Sequence, residues 1–174
     1  VTFLQFTGSM AMQRFKIESM NEMEANEPDA TKRTYLARSI ATLDELPGAI
    51  RSEESFVLFL AIDARAISDV KLREVSKVLL DQGCCYLCIW GPDCERVHDQ
   101  FDSQRDVPER RDFCVMTTWH AEEGLREALD FFVYCAWPAD GFAKSPVDWI
   151  AVSVANSDWD RTIDGGLSVI TLGD

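Results

Sequence analysis

Four apolar runs of strand length, Phe56–Asp63, Cys84–Trp90, Phe113–Thr118 and Val147–Ala155, recur along this chain, and each gap between them holds an amphipathic segment of helix length. Between the first two, Ser68 or Asp69 opens a helix whose inward stripe is Leu72, Val75, Val78 and Leu79, with Gly83 past its end. The next gap places Cys94, Val97 and Phe101 on one helical side, then runs into the charged stretch Arg105–Asp112. In the third, Leu125, Leu129, Phe132, Val133 and Ala136 form a wide apolar face that Pro138 ends, and Glu122 and Glu123 stand at its start, where the positive end of the helix dipole favours them. Strands that alternate with helices this way predict a parallel sheet, because parallel neighbours need long crossovers. Their near-continuous apolar character predicts helices on both faces, with the first and third runs near the centre.

The flanks carry weaker patterns. Over Thr31–Leu46, the residues Leu36, Ile40, Leu43 and Leu46 fall at helical spacing ahead of Pro47-Gly48, which predicts an N-terminal helix. Asn156–Asp164 reads as a polar loop, Gly165-Gly166 as a turn and Leu167–Leu172 as a last strand, antiparallel at the sheet edge because so short a connection permits nothing else. Met20–Asp29 is acidic and polar, a linker pattern, and Arg14–Ser19 alternates Phe15 and Ile17 like an edge strand. The expected fold is therefore α/β: a three-layer, Rossmann-like, mainly parallel sheet with an N-terminal helix and an antiparallel C-terminal edge strand. Residues 1–30 are expected to be a poorly defined segment before a single domain spanning 31–174.

Charge changes the picture of partners. The 174 residues carry 17 Lys and Arg against 30 Asp and Glu, a formal net charge of -13, and 23 of the acidic but only 12 of the basic residues follow position 50. Such a field repels nucleic-acid phosphates and anionic membranes and attracts basic partners. No apolar run is long enough to span a bilayer. The six cysteines, 84, 85, 88, 94, 114 and 135, sit mostly among apolar neighbours rather than in a loop framework, which predicts reduced thiols and a cytoplasmic location.

Candidate chemistry collects where the strands end, the edge at which parallel α/β sheets bind ligands. Asp63, Trp90, Asp93, Thr118, Trp119, His120, Asp158 and Trp159 are the candidate binding residues, with Arg65, Cys94, Glu95, Thr117, Asn156 and Asp160 beside them. Aromatics with carboxylates and an imidazole suit a flat cationic ligand or a protein partner; equally, the tryptophans would simply lid the open end of the core. Asp63, Asp93, His120 and Asp158 are donors of the type that holds magnesium or manganese, but no tight metal spacing accompanies them, so no metal is assigned. Cys85-x-x-Cys88 lies within a strand, where alternation sends the two thiols to opposite faces and favours core over redox chemistry. Cys94 and His98 are spaced for two zinc ligands without a third, and Cys94 with His120 would make a nucleophile pair that nothing visible orients. No glycine-rich phosphate cradle occurs and no motif names a cofactor.

Thr117-Thr118-Trp119-His120, the acidic helix start after it and Phe131-Phe132 resemble a group of small bacterial α/β proteins of unknown function over roughly 84–137. The resemblance implies a bacterial cytoplasmic source and no activity. The expected function is a non-catalytic acidic binding protein, an accessory or immunity-type factor that meets a basic protein partner. The alternative is an enzyme or small-ligand sensor at the strand ends, metal-assisted or not.

Overall fold

The structure, a computed structural model, describes residues 33–50, 52, 55–105, 114–139, 142 and 147–171. The expectations for Arg14–Ser19, for Met20–Asp29 and for most of the Arg105–Asp112 stretch lie outside the described residues. Among the described residues five strands, β1 (Tyr35–Ile40), β2 (Ser55–Ala61), β3 (Cys84–Trp90), β4 (Met116–His120) and β5 (Val147–Val154), form one sheet in the order β1-β5-β2-β3-β4. Every neighbouring pair is parallel. Between and after them come a 3-10 turn (Leu43–Glu45), α1 (Leu46–Ala49), α2 (Asp69–Asp81), α3 (Cys94–Arg105), α4 (Leu125–Tyr134) and α5 (Ser157–Thr171).

Two apolar cores lie against the sheet. Leu58, Leu60, Leu87, Ile150 and Val152 pack with Leu72, Val75 and Leu79 of α2, with Val97 and Phe101 of α3, and with Leu43 and Leu46. On the other side, Phe59, Cys88 and Ala151 pack with Leu129 and Phe132 of α4 and with Ile163 and Leu167 of α5. The chain passes from β1 to β2, β3 and β4 by way of the α1–α3 side and returns from β4 to β5 by way of α4. Direction and side reverse together, so all the crossovers keep one hand, as the twist of strands demands. Among the described residues no helix is long and apolar enough to cross a membrane.

Five expectations are corrected. Tyr35–Ile40 is a strand, not part of a helix over 31–46: Leu36 and Ile40 are four apart, a spacing that also fits a strand with period two, and Tyr35 and Ala37 fill the opposite face. The segment after β5 is α5, not a loop followed by an antiparallel strand. Gly165-Gly166 is no turn; a β-carbon at Gly166 would lie 2.5 Å from Leu129 Cδ2, so the missing side chain lets α5 approach α4. The third apolar run is an edge strand rather than a central one, because the return to β5 fills the middle of the sheet instead. Finally, the register between β2 and β3 shifts after Phe56, whose partner is Cys84 while Val57 pairs with Tyr86. The extra residue, Cys85, breaks the alternation and joins Cys88 in the α4–α5 core. Burial pushes both thiols up to about 12, so their sharing a side creates no redox pair. All six cysteines are free, four of them buried and Cys114 and Cys135 exposed.

Candidate functional site

The expected cluster does reach the carboxyl edge, but each strand hands its residues to a different neighbour. After β2, Asp63 is exposed and taken up by Arg65, whose Nε donates to its Oδ1 at 2.9 Å and whose Nη2 lies 2.5 Å from Oδ2. That guanidinium holds the Asp63 carboxyl below its usual range. After β3, Asp93 sits in the left-handed region at φ 65° and accepts from Arg96 Nε at 2.7 Å. Arg96 also pairs with Asp69 and donates to the carbonyls of Ala64 and Ile67, tying the β2–α2 loop to α3. Asp158 is exposed and pairs with Arg161.

The aromatics part by strand alternation. Trp119 packs on the α2–α3 side with its ring 4.4 Å from that of His98, whereas His120 turns to the other side, its ring 4.8 Å from Phe131. Trp90 stands edge-on to Trp159 at 5.1 Å and donates its indole N–H to the Glu123 carbonyl at 2.8 Å. Thr118 lies opposite Cys88 in the β3–β4 register. The imidazole of His120 is 7% exposed, its Nδ1 is 3.8 Å from Glu123 Oε1, and its Nε2 has no hydrogen-bond partner. Burial lowers its pKa, against the pull of Glu123. Burial raises the Cys94 thiol pKa against hydrogen bonds from main-chain groups that include His120, the reverse of what a nucleophile needs. Among the described residues no three His, Cys, Asp or Glu side chains group to hold a metal ion.

Two concavities hold residues outside the expected cluster. Where β5 and β2 send their following segments to opposite sides, a cleft of about 470 Å³ opens between Thr42, Leu43 and Asp44 after β1, Val154 at the end of β5, and Ile67, Ser68 and Lys71 at the start of α2. An ion pair between Lys71 and Asp44 spans it. Ser68 caps α2 by accepting from the Lys71 amide, the one signal of this cleft that the sequence carried. A smaller hollow of about 110 Å³ lies between β1 and α5, lined by Ala37, Arg38, Ser39, Asp160, Ile163 and Asp164. There Asp160 accepts hydrogen bonds from Ser39, at 2.9 Å, and from the buried Ser153, which fastens α5 to β1 and β5. Reading β1 as a helix hid both concavities.

The sequence profile of one family matches residues 35–167, from the first residue of β1 to the last apolar core position of α5. The chain belongs to the family described as "Domain of unknown function (DUF7684)". Among the described residues the matched span takes in all five strands and both concavities. No curated protein and no solved structure matches the chain.

Proposed function

We propose that this chain is a non-catalytic acidic binding protein, an accessory or immunity-type factor, bacterial and cytoplasmic, whose Rossmann-like domain meets a basic protein partner through its α4–α5 layer. The observation that carries this reading is the unequal charge of the two helical layers. Among the described residues, Glu122, Glu123, Glu127, Asp130, Asp158, Asp160 and Asp164 accompany α4 and α5, against Arg126, Arg161 and Arg33, which donates to the Val133 carbonyl of α4. Arg126 and Arg161 pair within their own helices, with Asp130 and Asp158. On the opposite layer, counted the same way, Asp69, Glu74, Asp81, Asp93, Glu95, Asp99 and Asp102 accompany α2 and α3 against Lys71, Arg73, Lys77, Arg96 and Arg105, a smaller excess. A field stronger on one side steers a cationic surface to that side. Glu122 and Asp164 are exposed and free of the pairs described above, which leaves them for a partner. Mass spectrometry of what copurifies from the source cells should identify a basic protein. Glu122→Lys with Asp164→Lys should weaken its binding at least about tenfold, mainly through slower association that salt also slows. A partner that is not basic, or that binds the double variant as well as the parent, overturns the reading.

The cleft beside Lys71 favours a second reading, a small-ligand sensor or enzyme. Its place at a switch between strands and its mixture of Leu43, Ile67 and Val154 with Thr42, Ser68 and Lys71 suit a small amphiphilic molecule. Ligand-dependent broadening of NMR signals confined to Thr42, Ser68 and Lys71 would support it.

A further inference from the structure

The outermost strand beside the acidic layer is β1, and its hydrogen bonding can be assigned residue by residue. Ala155 donates its amide to the Ile40 carbonyl at 2.8 Å, so Ile40 turns its main-chain groups toward β5. Alternation then turns Arg38 and Leu36 the same way and leaves Tyr35, Ala37 and Ser39 facing outward. Among the described residues, none of those three outward groups meets another main-chain group. One guard is Arg38, whose Nη1 folds back to the Ala37 carbonyl at 2.8 Å, the sort of charged cover that edge strands use against unwanted pairing. Beside this edge lies the hollow between β1 and α5, with Asp164 exposed on its wall and Asp160 next to it. At the other edge, side chains of α3 already reach β4: Arg105 donates to the Val115 carbonyl at 2.9 Å and Asp102 accepts from Thr117 at 2.9 Å.

We propose that β1 is an acceptor edge: an extended basic segment of a partner protein adds to it as a sixth strand through the outward main-chain groups of Tyr35, Ala37 and Ser39, and seats a lysine or arginine in the hollow beside Asp164. This rests on the reading of the chain as an acidic binder and adds to it the shape of the ligand. Strand addition supplies affinity through main-chain bonds, and alternate side chains supply specificity. Residues of the added strand on the α5 side meet Asp164 and Asp160, whereas those on the other side meet Arg38. The segment it takes therefore alternates basic with uncharged residues. Arg38 has to release the Ala37 carbonyl when the strand arrives, so the guanidinium opposes binding.

The probe is the peptide acetyl-(Lys-Val)4-amide, titrated into the isotope-labelled full chain at physiological salt, beside two analogues N-methylated at every valine or at every lysine. The peptide should slow amide exchange at Tyr35, Ala37 and Ser39, and only the analogue methylated on the residues facing β1 should lose affinity, by about tenfold or more since several main-chain bonds go with it. Ala37→Pro should block binding yet keep the fold, because that amide donates outward, and Arg38→Ala should strengthen binding. Equal binding by both methylated analogues, equal binding by acetyl-(Glu-Val)4-amide, or unchanged exchange at the three amides overturns the proposal, and so does their protection without peptide in a concentration-dependent dimer. The two readings fail differently. A basic copurifying partner that leaves the three amides exchanging freely removes the edge alone, whereas a partner that is not basic removes the acidic-binder reading beneath it.

Discussion

A β-carbon on Gly91 would lie 2.3 Å from the carbonyl oxygen of Ile62. The two residues follow the ends of adjacent strands, where Ile62 donates its amide to the Trp90 carbonyl at 2.9 Å and Ala64 donates to that of Pro92 at 2.9 Å. The β2–α2 and β3–α3 loops are thereby held together past the end of the ladder, and Gly91 reaches this approach with φ at +119°, which no other residue type adopts comfortably.

Gly91→Ala should therefore destabilise the protein by about 3 kcal/mol or more, combining main-chain strain with overpacking against a rigid carbonyl. Urea unfolding measures it. A loss below about 1 kcal/mol would mean that the loops slide apart easily and that the carboxyl edge is softer than its hydrogen bonding indicates.

Ala155 adopts φ 54° between β5 and α5, a left-handed conformation that costs a residue with a β-carbon about 1–2 kcal/mol. Ala155→Gly should relieve that strain while adding freedom to the unfolded chain, for a net gain of about 0.5 kcal/mol. Calorimetry should show a slightly higher Tm; a lower one would show that the Ala155 methyl group packs usefully.

His120 should make the protein acid-sensitive. Its folded pKa lies below the value of about 6.5 expected in the unfolded chain, so below that pH the unfolded state binds the proton first. Stability is then complete above about pH 6.5 and is lost as the pH falls from there toward the folded pKa. His120→Phe removes the titrating ring and the partnerless Nε2 together, and should flatten the urea midpoint between pH 7.5 and 5.5. If parent and variant lose stability in parallel over that interval, the acid sensitivity belongs to other groups.

The parallel direction of β2, β3, β4 and β5, though not the place of β4 at the edge, was legible because strands announce themselves as unbroken apolar runs, and the helices between them because stripes such as Leu72, Val75 and Leu79 repeat at helical spacing. What failed was local and short. Leu36 and Ile40 satisfy both periodicities over six residues, and only pairing with β5, more than a hundred residues later, decides for a strand. Gly165-Gly166 punctuates like a turn, and only the proximity of Leu129 explains glycine inside a helix. At the edge, the cluster from Asp63 to Trp159 was visible as a set of strand ends. Strand alternation sends Trp119 and His120 to opposite sides, and Asp63, Asp93 and Asp158 each meet an arginine of their own, Arg65, Arg96 and Arg161, none of which strand ends alone reveal. The bulge at Cys85 had no signal at all, since one extra residue in an apolar run leaves the composition unchanged.

Trp119 separates a packing role from a binding role. Its ring is half-buried on the α2–α3 core and stacks at a tilt on His98, which itself leans toward Asp99 and Asp102. Removing a fully buried large aromatic costs about 3–5 kcal/mol, so this partly exposed one should cost about 2–3. Trp119→Ala should accordingly lower the Tm by several degrees, while partner binding at α4–α5, across the sheet, stays unchanged when measured well below that Tm. Trp159→Ala is the contrasting variant, since its ring meets Trp90 on the α4–α5 side and lies within the acidic layer itself. Loss of partner binding by Trp119→Ala with the Tm intact would move the functional surface to the α2–α3 side and leave the charge asymmetry unexplained.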